Sequence, residues 1–286
     1  MKIAILILAH SNPNQLKMLI DSLKQDFSVF VHIDAKSDIS PDFFEKDRNV
    51  FIIKKYKVYW ADISIVHSTI ELMYAAYNDG CEYFVLISGL DLPVKTGEGI
   101  KEIIANNPKQ NFFYYEQLPR SVWPLNGGWD RLEYYWDILK NKKHPTIKNR
   151  IFGISRRICK VLKIKRKLYP IIYYGGSEWF NLSRQTVRYI LDFLEKNPDY
   201  IKSFEHTYAP DEIFFQTIIM NSKYASTVVN DDKRYVDWVS GPDYPRTLTI
   251  DDYDKMMSWD AFFARKFDEK VDNKIINSII QKWHEN

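Results

Sequence analysis

The sequence predicts an α/β fold with a mostly parallel central sheet flanked by helices, and three observations carry that expectation. Through the first 115 residues, short apolar runs alternate with stretches of helical periodicity. The runs are apolar at nearly every position, as strands buried on both faces are. Turn-forming residues mark each change from one kind of stretch to the other.

Ile3–Ala9 in MKIAILILAH reads as the first strand. The run is too short to span a bilayer and has no small-residue cleavage site behind it. In HSNPNQLKMLIDSL a helix opens at Pro13, with Ser11 or Asn12 as its cap and Leu16, Met18, Leu19 and Leu23 as its apolar residues. FSVFVHID (27–34) and VFII (50–53) are the second and third strands. The stretch 61–80 is an amphipathic helix closed by Gly80, and YFVLIS (83–88) is a continuously apolar strand. A helix over GEGIKEIIANN and a strand at NFFYY follow. Later, IIYYGGSEWFNLSRQTVRYILDFL predicts a glycine turn leading into a helix. YAPDEIFFQTI (208–218) predicts a helix opened by Pro210, and 271–283 a terminal amphipathic helix. The expected organisation is one domain over 1–286, with halves at 1–115 and 116–286.

Composition places the chain among globular proteins: 45% hydrophobic, 27% charged and only 10 glycines, with no repeat or low-complexity segment. Aromatics reach 15%, with 19 Tyr and 8 Trp, which serve either as core filling or as flat faces for sugars. The two cysteines, Cys81 and Cys159, give neither a disulfide framework nor zinc spacing, so a reducing compartment is expected. No stretch is long and apolar enough for a transmembrane helix.

Charge is unevenly placed. Residues 140–167 hold 12 Lys/Arg and no acid, leaving 28 basic against 37 acidic residues elsewhere. Ile151, Ile154, Ile158, Val161 and Leu162 recur there at helical spacing, which predicts a basic amphipathic helix over about 147–167. Such a helix is either a solvated face packed on the core or an attachment to an anionic membrane surface. No nucleic-acid motif accompanies it, so no nucleic-acid partner is expected.

In parallel sheets ligands bind beyond the carboxyl ends of the strands, which makes the loops at His10, Asp34 and Ser88 the candidate site. Neither GxGxxG nor GxxxxGK[ST] occurs there, which disfavours a dehydrogenase or a P-loop enzyme. Asp211 and Glu212 lie side by side after Pro210, as acids at a helix start or as a catalytic carboxylate.

Six stretches in order, VHIDAKSD, VYWADISIVHSTIELM, YFVLISGLDLPVKT, GGSEWFNLSR, YAPDEIFFQTI and ARKFD, resemble the core-2/I-branching N-acetylglucosaminyltransferases and peptide O-xylosyltransferases, glycosyltransferase family 14. The resemblance runs from about Ile3 to Asp268, and the chain looks like a compact bacterial member without the stem and cysteines of the animal enzymes. It implies a GT-A-type fold and inverting transfer from a UDP-sugar to a hydroxyl, with N-acetylglucosamine as the default sugar. By the same likeness Glu212 is the general base, Glu178 contacts the acceptor, Asp91 lies by the donor sugar and Asp34 by the uridine. Arg246 and Lys266, with Arg265 beside the latter, stand in for the metal of other GT-A enzymes, so no metal or other cofactor is expected. This agrees with a single Asp in SGLDLP; the one DxD, Asp252-Tyr253-Asp254, reads as a helix start.

His10 is read as a strand-end residue near the nucleotide. Trp60 and Trp179 are either core residues or sugar platforms. The span 116–136 is least like the family; Arg131 or Glu133 there are the candidate acceptor contacts, and acceptor choice is expected to reside there. The expected partners are a UDP-sugar and a glycan or lipid-linked acceptor in surface polysaccharide synthesis, with the protein cytoplasmic and peripheral on the inner membrane face. Two other readings remain open: a sugar- or nucleotide-binding module without catalysis, and a hydrolase using Asp211 or Glu212 with Glu178 as its carboxylate pair.

Overall fold

The structure, a computed structural model, describes residues 1–44, 46–136, 157–241 and 245–284. Its frame is a seven-stranded sheet. In chain order its strands are β1 (Ile3–Ala9), β2 (Ser28–Ile33), β3 (Val50–Ile53), β4 (Tyr83–Ser88), β6 (Asn111–Gln117), β7 (Tyr174–Ser183) and β8 (Val228–Val229). They lie side by side as β3-β2-β1-β4-β7-β6-β8. The β1–β2, β1–β4, β2–β3 and β6–β8 pairings are parallel, and only β7 runs against its neighbours β4 and β6. This mostly parallel, helix-flanked sheet is the architecture expected of a GT-A-type fold. Because β7 inserts between β4 and β6, one sheet runs through both halves of the sequence.

The continuous apolar runs have the expected cause. Along β1, Ile3, Ile5 and Ile7 face the helices α1 (Pro13–Leu23), α3 (Gly97–Asn106) and Asn273–His284, while Ala4 and Leu6 face α2 (Ser64–Asn78) and the helix Arg184–Lys196. Two cores, one on each face, leave the middle strands no polar side.

Several local expectations need correction. Asn12 takes the cap position of α1 in a left-handed conformation, but its amide turns away to donate to Asp268 Oδ1 at 3.1 Å instead of capping. GGSEWFNLS is not a glycine turn but part of the ten-residue strand β7, and the following helix is capped by Ser183. The glycines are needed inside the strand. A Cβ on Gly176 would meet the Tyr114 carbonyl oxygen at 1.7 Å, next to the register shift between β6 and β7, and one on Gly175 would strike the Trp123 ring at 2.5 Å. Pro210–Glu212 is a separate 3-10 turn, and the α-helix begins only at Phe214.

Of the expected basic helix, residues 137–156 lie outside the described residues. The rest is helical over 157–161 and then irregular. No helix among the described residues is long and apolar enough to cross a membrane.

A second, three-stranded sheet runs β5 (Asp91–Pro93), β10 (Phe263–Arg265), β9 (Arg234–Val236). It brings the loop after β4 and the C-terminal ARKFD segment together at the carboxyl end of the main sheet.

Candidate active site

Asp34 ends β2, and both its oxygens are engaged. Oδ1 accepts the backbone N–H groups of Lys36 (2.9 Å) and Val58 (3.0 Å), and Oδ2 pairs with Lys36 Nζ at 2.9 Å. Burial pushes its pKa up, but these donors outweigh burial and hold it below the ordinary carboxylate value. His10 lies just past the end of β1 and is exposed. Desolvation holds it below the usual histidine pKa, with Asp34 opposing.

Asp91 is fully buried. Its Oδ2 accepts the Ser88 N–H at 3.1 Å, and its Oδ1 faces Arg265 Nε at 3.5 Å without a hydrogen bond. The two residues are cross-strand partners in the small sheet. Burial raises the Asp91 pKa against the pull of Arg265 and Arg234. The Arg265 guanidinium also lies over the Trp179 ring, 4.4 Å from its centroid. Trp179 is buried at 5% exposure, so this ring is a shelf for Arg265 and not an open sugar platform. Trp60 is the reverse: 62% exposed, with its ring edge-on to Tyr208 at 5.7 Å.

Glu178 projects from β7 and is half-buried at its surface. Burial, with Glu212 and Asp91 nearby, pushes its carboxyl up to about 7 although Arg265 pulls the other way. Asp211 is buried, and burial beside Glu178 and Glu212 lifts it well above the carboxylate range. Its Oδ1 has no hydrogen-bond partner.

Glu212 differs from both: 32% of its side chain is exposed, and its Oε2 accepts Arg131 Nη1 at 2.5 Å. The turn that carries it is tied on two sides. Tyr208 N–H donates to the Arg131 carbonyl, and Ala209 N–H to the Ala61 carbonyl beside Trp60. On the third side Gln216 donates to the Ser177 carbonyl and Thr217 bridges Tyr174, which docks the helix Phe214–Met220 on β7 and sets Glu212 against Glu178.

The C-terminal cations part company. Arg246 is held by carboxylates on both sides: Nε donates to Asp237 at 2.9 Å, while the two terminal nitrogens grip Asp252 at 3.0 and 2.7 Å. Asp252 also completes a capping box with Thr249, so the first acid of the lone DxD does serve a helix start. Lys266, partly buried, has no side-chain partner among the described residues. Leu248 N–H donates to its carbonyl, which places the segment that carries Arg246 alongside it.

Several residues near this cluster escaped sequence reasoning. Arg234 and Asp232 lie behind Asp91 and Ser177; Arg234 donates to the Leu86 carbonyl at 2.7 Å, and Asp232 takes a hydrogen bond from Ser177. Two arginines pack on the Trp123 ring, Arg120 at 4.2 Å and Arg131 at 3.9 Å from the ring centroid. The available signal was a tryptophan between two arginines and two GG pairs, but nothing local says that Gly175 and Trp123 meet.

Residues 3–257 match the model of the Core-2/I-branching enzyme family. The chain belongs to that family, a family of glycosyltransferases. It is 25% identical to the β-glucuronosyltransferase GlcAT14B of Arabidopsis thaliana over 84% of this chain and 54% of that one. It is 22% identical to human xylosyltransferase 2 over 96% of this chain and 33% of that one. The chain therefore spans about half or a third of the length of these relatives. A solved mannose-1-phosphate geranyltransferase from Thermus thermophilus is similar at 9% identity and a TM-score of 0.35, covering 76% of this chain and 72% of that one, too distant to bear on function.

Proposed function

We propose that this protein is an inverting β-glycosyltransferase that moves a sugar from a UDP-sugar to a hydroxyl of a glycan acceptor, with Glu212 as general base. The carrying observation is Glu212 itself. Its side chain is partly exposed, one carboxylate oxygen is held by Arg131, and Oε1 has no hydrogen-bond partner among the described residues. In the proposed step the acceptor O–H gives its proton to Glu212 while its oxygen bonds to C1 of the donor sugar. The C1–O bond to the diphosphate breaks, and the electron pair leaves with UDP. Lys266 and Arg265 supply fixed positive charge for the departing diphosphate, a role metals fill elsewhere, with Arg246 beside them. Asp91 and Asp34 border the donor side, and Glu178 and Trp60 the acceptor side.

Glu212→Gln should lower turnover by about 10²–10⁴-fold while UDP still binds; equal turnover in the two proteins would remove Glu212 as the base. Chelation with EDTA should leave activity unchanged, and a loss that Mn²⁺ restores would overturn the metal-free clause. The donor is to be read from UDP-N-acetylglucosamine, the default, tested beside UDP-glucuronate and UDP-xylose, the sugars in the relatives' names.

A peripheral membrane position and a lipid-linked acceptor in surface polysaccharide synthesis form the outer part of the proposal. Ile158, Val161, Leu162 and Ile164 are 51–81% exposed on the described end of the basic segment. Lys160 pairs with Asp130, Lys165 pairs with Glu133 at 2.7 Å and Arg166 donates to the Ser203 carbonyl, so the apolar residues and Lys163 are the ones to replace. Co-sedimentation with anionic vesicles that is unchanged by Val161→Ser and Leu162→Ser would refute it.

One observation favours a second reading. Glu178 near 7 beside Glu212 resembles the split acid and base of a glycoside hydrolase. Tight UDP binding would speak against that reading, since a hydrolase has no use for UDP.

A further inference from the structure

We infer that Arg131, clamped by Trp123, is the positioning residue of the base. This rests on the proposal that Glu212 is that base. Arg131 is 7% exposed, its guanidinium lies on Trp123 at 3.9 Å, and its Nη1 holds Glu212 Oε2 at 2.5 Å. Tyr208, from the strap that leads into the Glu212 turn, closes over it at 5.6 Å. A planar guanidinium fixed on one face by an aromatic ring has few orientations left, so the carboxylate it grips is fixed too. With Oε2 committed, Oε1 is the oxygen presented to an acceptor hydroxyl.

The clamp depends on space left by two glycines, one nearby and one far away in sequence. Added Cβ atoms on Gly128 and Gly175 would lie 2.6 and 2.5 Å from the Trp123 ring. Trp123 therefore sits in a slot between the loop that carries it and β7, with Arg120 also packed on its ring at 4.2 Å. The first glycine of GGSEW thus acts on the base through Trp123 and Arg131. A misplaced carboxylate changes the chemical step and not the capture of donor, because the donor's cations lie elsewhere.

The test measures UDP released from UDP-N-acetylglucosamine, UDP-glucuronate and UDP-xylose with water as acceptor, for the full chain. Arg131→Ala should lower kcat by about 10²-fold with donor KM unchanged. Arg131→Lys should recover part of it, and added guanidinium ion should restore turnover to Arg131→Ala but not to Glu212→Gln. Gly175→Ala should reproduce the kcat loss in milder form. Wild-type kcat in Arg131→Ala, or a loss seen in donor KM alone, overturns the inference while leaving the base in place. A fully active Glu212→Gln fails the base reading first and is told apart by that variant. Denaturant midpoints give a readout that needs no substrate: Arg131→Ala and Glu212→Ala should be non-additive, and additive shifts would show that the pair is no clamp.

Discussion

The two sides of the candidate site are made in different ways. On the side of β1, β2 and β4, the chemistry-bearing residues His10, Asp34 and Asp91 sit at or just past the ends of parallel strands, and the sheet itself decides where they are. On the other side, Glu178 comes from β7 beside its register shift with β6, while Glu212 and Arg131 are placed by single long-range contacts: a glycine that admits a tryptophan, a strap tied to Ala61, and an arginine on a ring. A repeating pattern tolerates a local loss. A chain of single contacts does not.

The contrast can be broken by mutation, taking the largest expected effect first. Leu86 is fully buried in β4, and Leu86→Ala should cost about 2–5 kcal/mol in denaturant unfolding with donor KM held in the protein that remains folded. Loss of donor binding without loss of stability would mean that the strand-end side is as delicate as its counterpart. Gly176→Ala pushes a methyl into the Tyr114 carbonyl and should cost about 1–3 kcal/mol, with kcat falling beyond what unfolding explains. A silent Gly176→Ala would erase the distinction between the two sides.

The smallest effect is electrostatic. Glu178 keeps its proton up to about pH 7 in the folded chain against an ordinary 4.5, so the native state binds the proton more strongly. Its contribution is complete below pH 4.5 and is lost as pH rises through 7. Thermal unfolding of wild type and Glu178→Gln should therefore diverge over that window, with the wild type losing more, about 1 kcal/mol once screening by solvent at this half-buried group is allowed for. Parallel curves would show that Glu178 is ordinarily solvated and that this side is not desolvated after all.

The same division explains what could be read from residues alone. The parallel strands, α1 and α3 follow from runs of Ile, Leu and Val and from helical spacing, because each residue's place depends on neighbours a few positions away. GGSEWFNLS was legible as a glycine pair but not as a strand. Its glycines answer to Trp123 and to the Tyr114 carbonyl, which lie far back in the chain. The family resemblance marked Glu212, Glu178, Asp91 and Arg265, and the fold brings these four into one electrostatic cluster. Arg131 was legible only as a candidate acceptor contact; its partner proves to be Glu212, 81 residues on. Trp179 looked like a platform because tryptophan suits sugars, yet its ring is covered by Arg265, whose strand enters from the far end of the chain.

The strap around Glu212 has a consequence for how activity is acquired. The turn is knotted to Ala61 at one point and to Arg131 at others, segments separated by long stretches of chain. Contacts of such long loop closure form late, since the chain gives up its freedom before they reward it. The place of the carboxylate thus depends on several separate segments being docked at once. With Glu212 as the proposed base, turnover should fall at a lower denaturant concentration than the circular dichroism of the sheet.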